Sequence, residues 1–308
     1  MAWREKIAGE RTIGSYSCGL PGPLILAVSG IHGNEPSGAR AIKTFLSLLN
    51  TQMPQISGAV LGIVGNVQAS TENRRYLDKD LNRCFLPDLM AGGAPALLGA
   101  EARELKELVH LLHQLQTEYE DVCFIDCHTT AAQTIPYLSS NSHPDSLQLA
   151  NRFPLNNVIG LQQTIPGGFS EYCNTLNFRG FRVEAGQHLS ASAFSNQVAM
   201  LWLMLVYAGA LRRKQLTSFQ HYEQMLALDT PHHKQIYRLI SHYPLQDDEE
   251  FRMNQGFRNF DYVQKSALLA TNRHGDIVAA TDGYLLMPLD QEKADNGFCL
   301  LAEENASY

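Results

Sequence analysis

Over the first two thirds of the chain, short apolar runs alternate with segments of helical periodicity, and this alternation restricts the fold more than any other feature. Residues 24–28 (Leu-Ile-Leu-Ala-Val), 58–64 and 122–126 are apolar runs of strand length. After the first, Ile42, Phe45, Leu46 and Leu49 recur at helical spacing, and Pro36 suits a first helical turn. Leu105, Leu108, Leu112 and Leu115 mark a long helix, and 193–211 reads as a mainly apolar one. Shorter strands are expected at 158–161 and 181–183, separated by a Pro166-Gly167-Gly168 loop and a polar stretch. The order implies an α/β fold, a mostly parallel sheet with helices on both faces.

The pattern changes after residue 218. Alternating segments such as 236–240 and 284–287 are separated by Gly, Asp and Asn, so the tail reads as β-rich. A boundary is expected between 215 and 230, dividing the chain into a larger domain at 1–220 and a smaller β-rich domain at 221–308. A polar, Arg-rich loop at 70–83 and a Gly/Ala/Pro stretch at 91–95 interrupt the first domain.

A net charge of −7 over 308 residues argues against a nucleic-acid surface. The only basic run is Arg212-Arg213-Lys214, and a helix dipole explains it. Met1-Ala2-Trp3-Arg4-Glu5-Lys6 lacks the apolar core of a signal peptide, and no run approaches the roughly 20 apolar residues of a membrane span. A cytoplasmic protein is expected, with no membrane partner. The six cysteines form no C-x-x-C pair and read as reduced thiols. Self-association into a homo-oligomer is left open.

His32-Gly33-Asn34-Glu35 follows the first strand directly, at the kind of strand end where open α/β sheets place ligands. A catalytic zinc needs three nitrogen and oxygen ligands with a fourth position open. Alone, H-x-x-E reads equally well as a helix-terminal carboxylate beside a surface His. Asp126-Cys127-His128 closes another buried strand, so His128 reaches the same sheet edge and supplies a third ligand. Asp126 shares the strand parity of His128; it either orients a metal-bound imidazole or caps nearby amides. Metal hydrolysis also needs a base. Glu184, ending an apolar strand, is the candidate, with a buried salt bridge to Arg182 as the alternative. The loop at 73–83 carries arginines suited to a carboxylate or an oxyanion, or else surface charge paired with Asp78 and Asp80.

Five ordered stretches together resemble the succinylglutamate desuccinylase/aspartoacylase family of the zinc carboxypeptidase superfamily. They are Ser29-Gly30-Ile31-His32-Gly33-Asn34-Glu35, the segment from Arg75 to Arg83, Asp126-Cys127-His128-Thr129, Pro166-Gly167-Gly168 and Val183-Glu184-Ala185-Gly186. The resemblance implies a zinc-carboxypeptidase-like mixed sheet and one zinc per chain on His32, Glu35 and His128. It further implies Glu184 as base, Arg75 near the polarised carbonyl, and Asn82 with Arg83 on the substrate α-carboxylate. Family members of known specificity carry an Arg where this chain has Asn174, ten residues before Glu184. Arg182 or Arg179 is the candidate to substitute for it. No evident Tyr matches the one aspartoacylase brings from its carboxyl-terminal part; Phe298 falls roughly there, with Tyr284 the nearest alternative. The implied activity is zinc-dependent hydrolysis of the amide of an N-acyl amino acid, a small molecule. A zinc metallocarboxypeptidase acting on small peptides is the alternative. A metal-binding scaffold without catalysis is a third reading, opposed by the intact Glu184 and Arg75. No G-x-S-x-G stretch supports a serine hydrolase.

Overall fold

The computed structural model describes residues 11–90, 99–164, 166–228, 234–246, 248–288 and 296–304. The amino-terminal hexapeptide and the 91–95 stretch fall outside them. The run at 24–28 lies in β2 (Leu20–Ser29), flanked in parallel by β3 (Ser57–Val64) and β4 (Val122–Thr130). Beyond β4 lies β7 (Arg179–Gln187), also parallel, and β1 (Thr12–Ser17) pairs antiparallel with β3. Leu24, Leu26 and Val28 pack in a core that includes Leu105, Leu108 and Leu112 of α3 (Ala100–Glu118). Ile25 and Ala27 face the opposite core, with Phe45 of α1 (Pro36–Gln52) and Trp202 of α6 (Ala191–Tyr207). Covering both faces makes every position of the strand apolar, which explains an unbroken run where a half-exposed strand would alternate. Each such fully buried Leu or Ile contributes about 1.5–3 kcal/mol.

The helix expected at 193–211 ends sooner. Ser190 caps its start by accepting a hydrogen bond from Ala193 N–H at 3.0 Å, and the chain turns away at Gly209, whose φ of +85° is left-handed. β7 is longer than its apolar centre suggested, because Arg182 and Glu184 alternate with buried Phe181 and Val183 along it.

On the far side of β7 the sheet continues through β5 (Tyr137–Ser140), antiparallel to β7, and β6 (Asn156–Ile159), parallel to β5. The tail then joins it. β8 (Ile236–Pro244) pairs in parallel with β6, followed by β14 (Asn296–Glu303), β13 (Gly283–Leu286) and β10 (Tyr262–Val263), giving 11 strands among the described residues. β9 (Arg252–Met253), β11 (Leu268–Asn272) and β12 (Gly275–Val278) form a separate three-stranded sheet. One apolar cluster joins Tyr137, Val158 and Leu161 to Tyr237, Leu286 and Leu301 of the tail. Among the described residues, no helix is long and apolar enough to cross a membrane.

Register brings the site together. Ser29 at the end of β2 pairs with Cys127, and His128 pairs with Glu184 across β4 and β7. Beyond β2 the chain turns at Gly30, φ +65°, and runs against α2 (Val67–Thr71). A Cβ on Gly33 would stand 2.1 Å from the Ala69 carbonyl carbon, so only glycine permits this approach.

Candidate active site

His32, Glu35 and His128 are all buried, and one ligand atom from each lies within 4.8 Å of the others. His32 Nδ1 is 2.8 Å from Glu35 Oε1, and His128 Nδ1 is 3.2 Å from Glu35 Oε2. Glu35 Oε2 also accepts a 2.8 Å hydrogen bond from Thr129 N–H. Glu35 stands at the N-cap of α1, yet its side chain makes no capping bond. The helix-terminal reading of H-x-x-E therefore fails. Burial opposes the charge on Glu35, but His128 and His32 outweigh it and hold the carboxyl well below its usual range.

Each imidazole is held from behind by a carboxylate. His128 Nε2 lies 3.1 Å from Asp126 Oδ2, which also accepts from Ser170 Oγ at 3.0 Å. His32 Nε2 lies 3.2 Å from Asp80 Oδ1. Such partners fix the tautomer and leave Nδ1 of each ring to face a metal. Tetrahedral zinc with bonds of about 2.0–2.1 Å spaces its ligand atoms about 3.3 Å apart, close to the separations between the ring nitrogens and Glu35. Three carboxylates around two imidazoles, four of the five groups buried, also call for a cation. The donor set fits zinc.

Asp80 has a part that neither reading of the loop at 73–83 gave it. It does pair with Arg75, as the surface-charge reading has it, and it also links Arg75 to His32. Arg75 Nη2 donates to Asp80 Oδ2 at 3.0 Å, and Asp80 Oδ1 also accepts from Asn82 N–H at 2.9 Å. Burial opposes the charge on Asp80, but His32, Arg75 and Arg83 outweigh it and hold the carboxyl well below the usual range. Asp78 is structural: its Oδ2 accepts from Ala100 N–H at the start of α3 at 2.7 Å. The local sequence carried no signal for the Asp80–His32 contact, which spans 48 positions.

Glu184 is mostly buried beside His128, and burial pushes its pKa up to about 7 against the pull of His128 and Arg182. The salt-bridge alternative is weak, with Arg182 Nε 3.7 Å from Glu184 Oε1 and lacking a hydrogen-bond partner. Arg182 lines a cleft together with Asn82, Ser139, Ser140, Glu171 and Asn174. Asn82 Oδ1 accepts from Phe169 N–H at 2.9 Å, tying the arginine loop to α5 (Phe169–Thr175). Arg83 donates to the Asn82 carbonyl at 2.9 Å.

Arg179 is not in this group. Its Nε and Nη2 donate to both Asp121 oxygens at 2.9 and 2.7 Å, at the beginning of β7 rather than at the His128 end. Strand polarity excludes it as a substitute for the missing Arg. Phe298 stacks on Tyr243, and Tyr284 packs among Tyr237 and Tyr262, so neither is brought to the candidate ligands His32, Glu35 and His128. Sequence reasoning missed His188, whose Nδ1 is 2.8 Å from Thr129 Oγ1 and whose pKa burial lowers, and Tyr137, the register partner of Glu184. The six cysteines are free thiols; burial pushes Cys84 up to about 11 and Cys123 up to about 12, which suits packing rather than nucleophilic chemistry.

Residues 21–202 match the model of the succinylglutamate desuccinylase/aspartoacylase catalytic domain. The chain is 32% identical over 199 residues to a probable aspartoacylase of Nostoc sp., covering 61% of this chain and 65% of that protein. It is 32% identical over 217 residues to a probable aspartoacylase of Acaryochloris marina, covering 65% of this chain and 70% of that one. Its fold is similar to that of the succinylglutamate desuccinylase from Vibrio cholerae, with a TM-score of 0.68 at 17% identity over 94% of this chain and 84% of the other. The family match takes in more than half of the chain and every strand end that carries the ligand set, so the chain belongs to the succinylglutamate desuccinylase/aspartoacylase family.

Proposed function

We propose that this chain is a zinc-dependent hydrolase that cleaves the amide bond of N-acyl amino acids. One observation carries the reading: a buried His32–Glu35–His128 donor set, with Glu184 in register beside His128. The names of the relatives, aspartoacylases, support the same reaction class.

His32, Glu35 and His128 would hold the zinc, which supplies Lewis-acid polarisation of the acyl carbonyl and acidifies water. Glu184, with a pKa of about 7, accepts the proton of the attacking water on a carboxylate oxygen. It then returns that proton to the departing amine nitrogen. Arg75, held by Asp80 at the rim, donates hydrogen bonds to the carbonyl oxygen as negative charge develops. Asn82 and Arg83 hold the free α-carboxylate. Asp126 and Asp80 keep both imidazoles turned inward. In the same reading the six free thiols suit a cytoplasmic enzyme.

A panel of N-acetyl amino acids, N-succinyl amino acids and longer peptides, assayed together with metal analysis, tests the proposal. The reading predicts about one zinc per chain and turnover of N-acyl amino acids. A preference for peptides longer than two residues would overturn it.

A further inference from the structure

The cleft beside Arg182 contains one cationic and one anionic side chain whose fields oppose each other. Glu171 faces into it from α5; burial pushes its pKa up, against the Gly168 N–H and the attraction of Arg182 and Arg83 for its carboxylate. Glu171 Oε2 accepts a 3.3 Å hydrogen bond from Gly168 N–H, which fixes the side chain at the wall. An anionic group entering the cleft meets Glu171; a cationic one meets Arg182.

The remaining polar wall is neutral. Asn174 is held by both ends of its amide, accepting from Ser146 Oγ at 2.9 Å and donating to the Ser170 carbonyl at 2.9 Å. Ser140 Oγ accepts from the buried Asn157 Nδ2 at 2.9 Å, and Ser139 stands beside it on β5. Hydroxyl and amide groups held in this way pair with a neutral donor and acceptor without burying an uncompensated charge.

We infer that this cleft receives the amino-acid side chain of the substrate and selects an uncharged hydrogen-bonding group, a carboxamide or a hydroxyl, over a carboxylate. The inference rests on the N-acyl amino acid reading and adds the substrate class. Glu171 is the specificity residue, because inside the cleft it adds to Glu184 in offsetting the Arg182 charge that would otherwise attract an acidic side chain.

Calorimetric binding of the free product amino acids to zinc-loaded protein tests this without requiring turnover. Asparagine, glutamine or serine should bind at least about tenfold more tightly than aspartate or glutamate, a difference of about 1.4 kcal/mol. Glu171→Gln retains the size and the acceptor for Gly168 N–H, and zinc content checks that its site is intact. In this variant the gap should narrow, since one of the two carboxylates that face Arg182 is removed and Glu184 stays. Aspartate or glutamate binding as tightly as asparagine in the native chain would overturn the inference, as would a Glu171→Gln variant with unchanged preference. If the predicted binding preference holds but no N-acyl amino acid is hydrolysed, the hydrolase reading fails and the pocket assignment stands.

Discussion

In the proposed mechanism the chemistry turns on Glu184 and the two carboxylates behind the histidines. A base must be unprotonated to accept the proton of water, so kcat/KM should fall as pH drops through about 7, by about tenfold per unit below that value. A pH–rate profile showing no acid limb near 7 would exclude Glu184 as that base. Asp126→Asn and Asp80→Asn remove the charged acceptor behind His128 and His32, and each should weaken metal affinity by about 10–100-fold in a chelator competition. The grouping of His32, Glu35, His128 and Glu184 was legible in the sequence because each lies at or just beyond the end of an apolar run, and strand ends of one parallel sheet share an edge. Asp80 was not. It lies in a polar loop where a carboxylate looks like solvated charge, and its partner His32 is distant in sequence.

At the level of elements, the arginine loop owes its shape to α3. Glu101, fully buried in the first turn of that helix, accepts hydrogen bonds from Asn66 Nδ2 at 3.0 Å, Leu77 N–H at 2.8 Å, Asp78 N–H at 2.9 Å and Lys79 N–H at 3.3 Å. Burial raises the cost of its charge, but these donors outweigh it and lower its pKa. A depressed folded pKa means that the stabilisation is present above the ordinary carboxylate range and fades as pH falls through it. Glu101→Gln should cost about 1.5–3 kcal/mol in urea unfolding at pH 7, and the difference from the native chain should shrink towards pH 4. Equal differences at both pH values would contradict this account. Gly33→Ala forces a methyl into the Ala69 backbone and should lower the melting temperature and metal retention together. The helices α1, α3 and α6 were readable from their apolar periodicity, and the β2, β3 and β4 strands because two-sided burial writes itself as unbroken apolar runs. β5 was not, since Tyr-Leu-Ser-Ser offers neither an apolar run nor a clear alternation, and its buried serines face the cleft.

On the scale of the whole molecule, the sequence change near 218 marks a switch in local pattern, while the main sheet runs on from β6 into β8. Tyr137 packs against Phe260, and Asn259 Nδ2 donates to Thr134 Oγ1 at 2.7 Å, so the tail also reaches the segment leading to the register partner of Glu184. Pairings of this kind span more than a hundred positions, and no local pattern announces them. A chain ending at residue 220 would expose the apolar cluster that Tyr137, Val158 and Leu161 share with the tail. It should therefore lack the cooperative melting of the full chain in calorimetry; a truncated chain melting at the native temperature would show that the tail contributes nothing to the first unit. One proposed constellation recurs at all three scales: His32, Glu35 and His128 as zinc ligands, with Glu184 as base. Zinc content and N-acyl amino acid hydrolysis, measured side by side on the native chain and Glu184→Gln, test it most directly. The account predicts about one zinc in each and a rate about 10²–10⁴-fold lower in the variant; undiminished hydrolysis by Glu184→Gln, or a native chain that hydrolyses without retaining zinc, would contradict it.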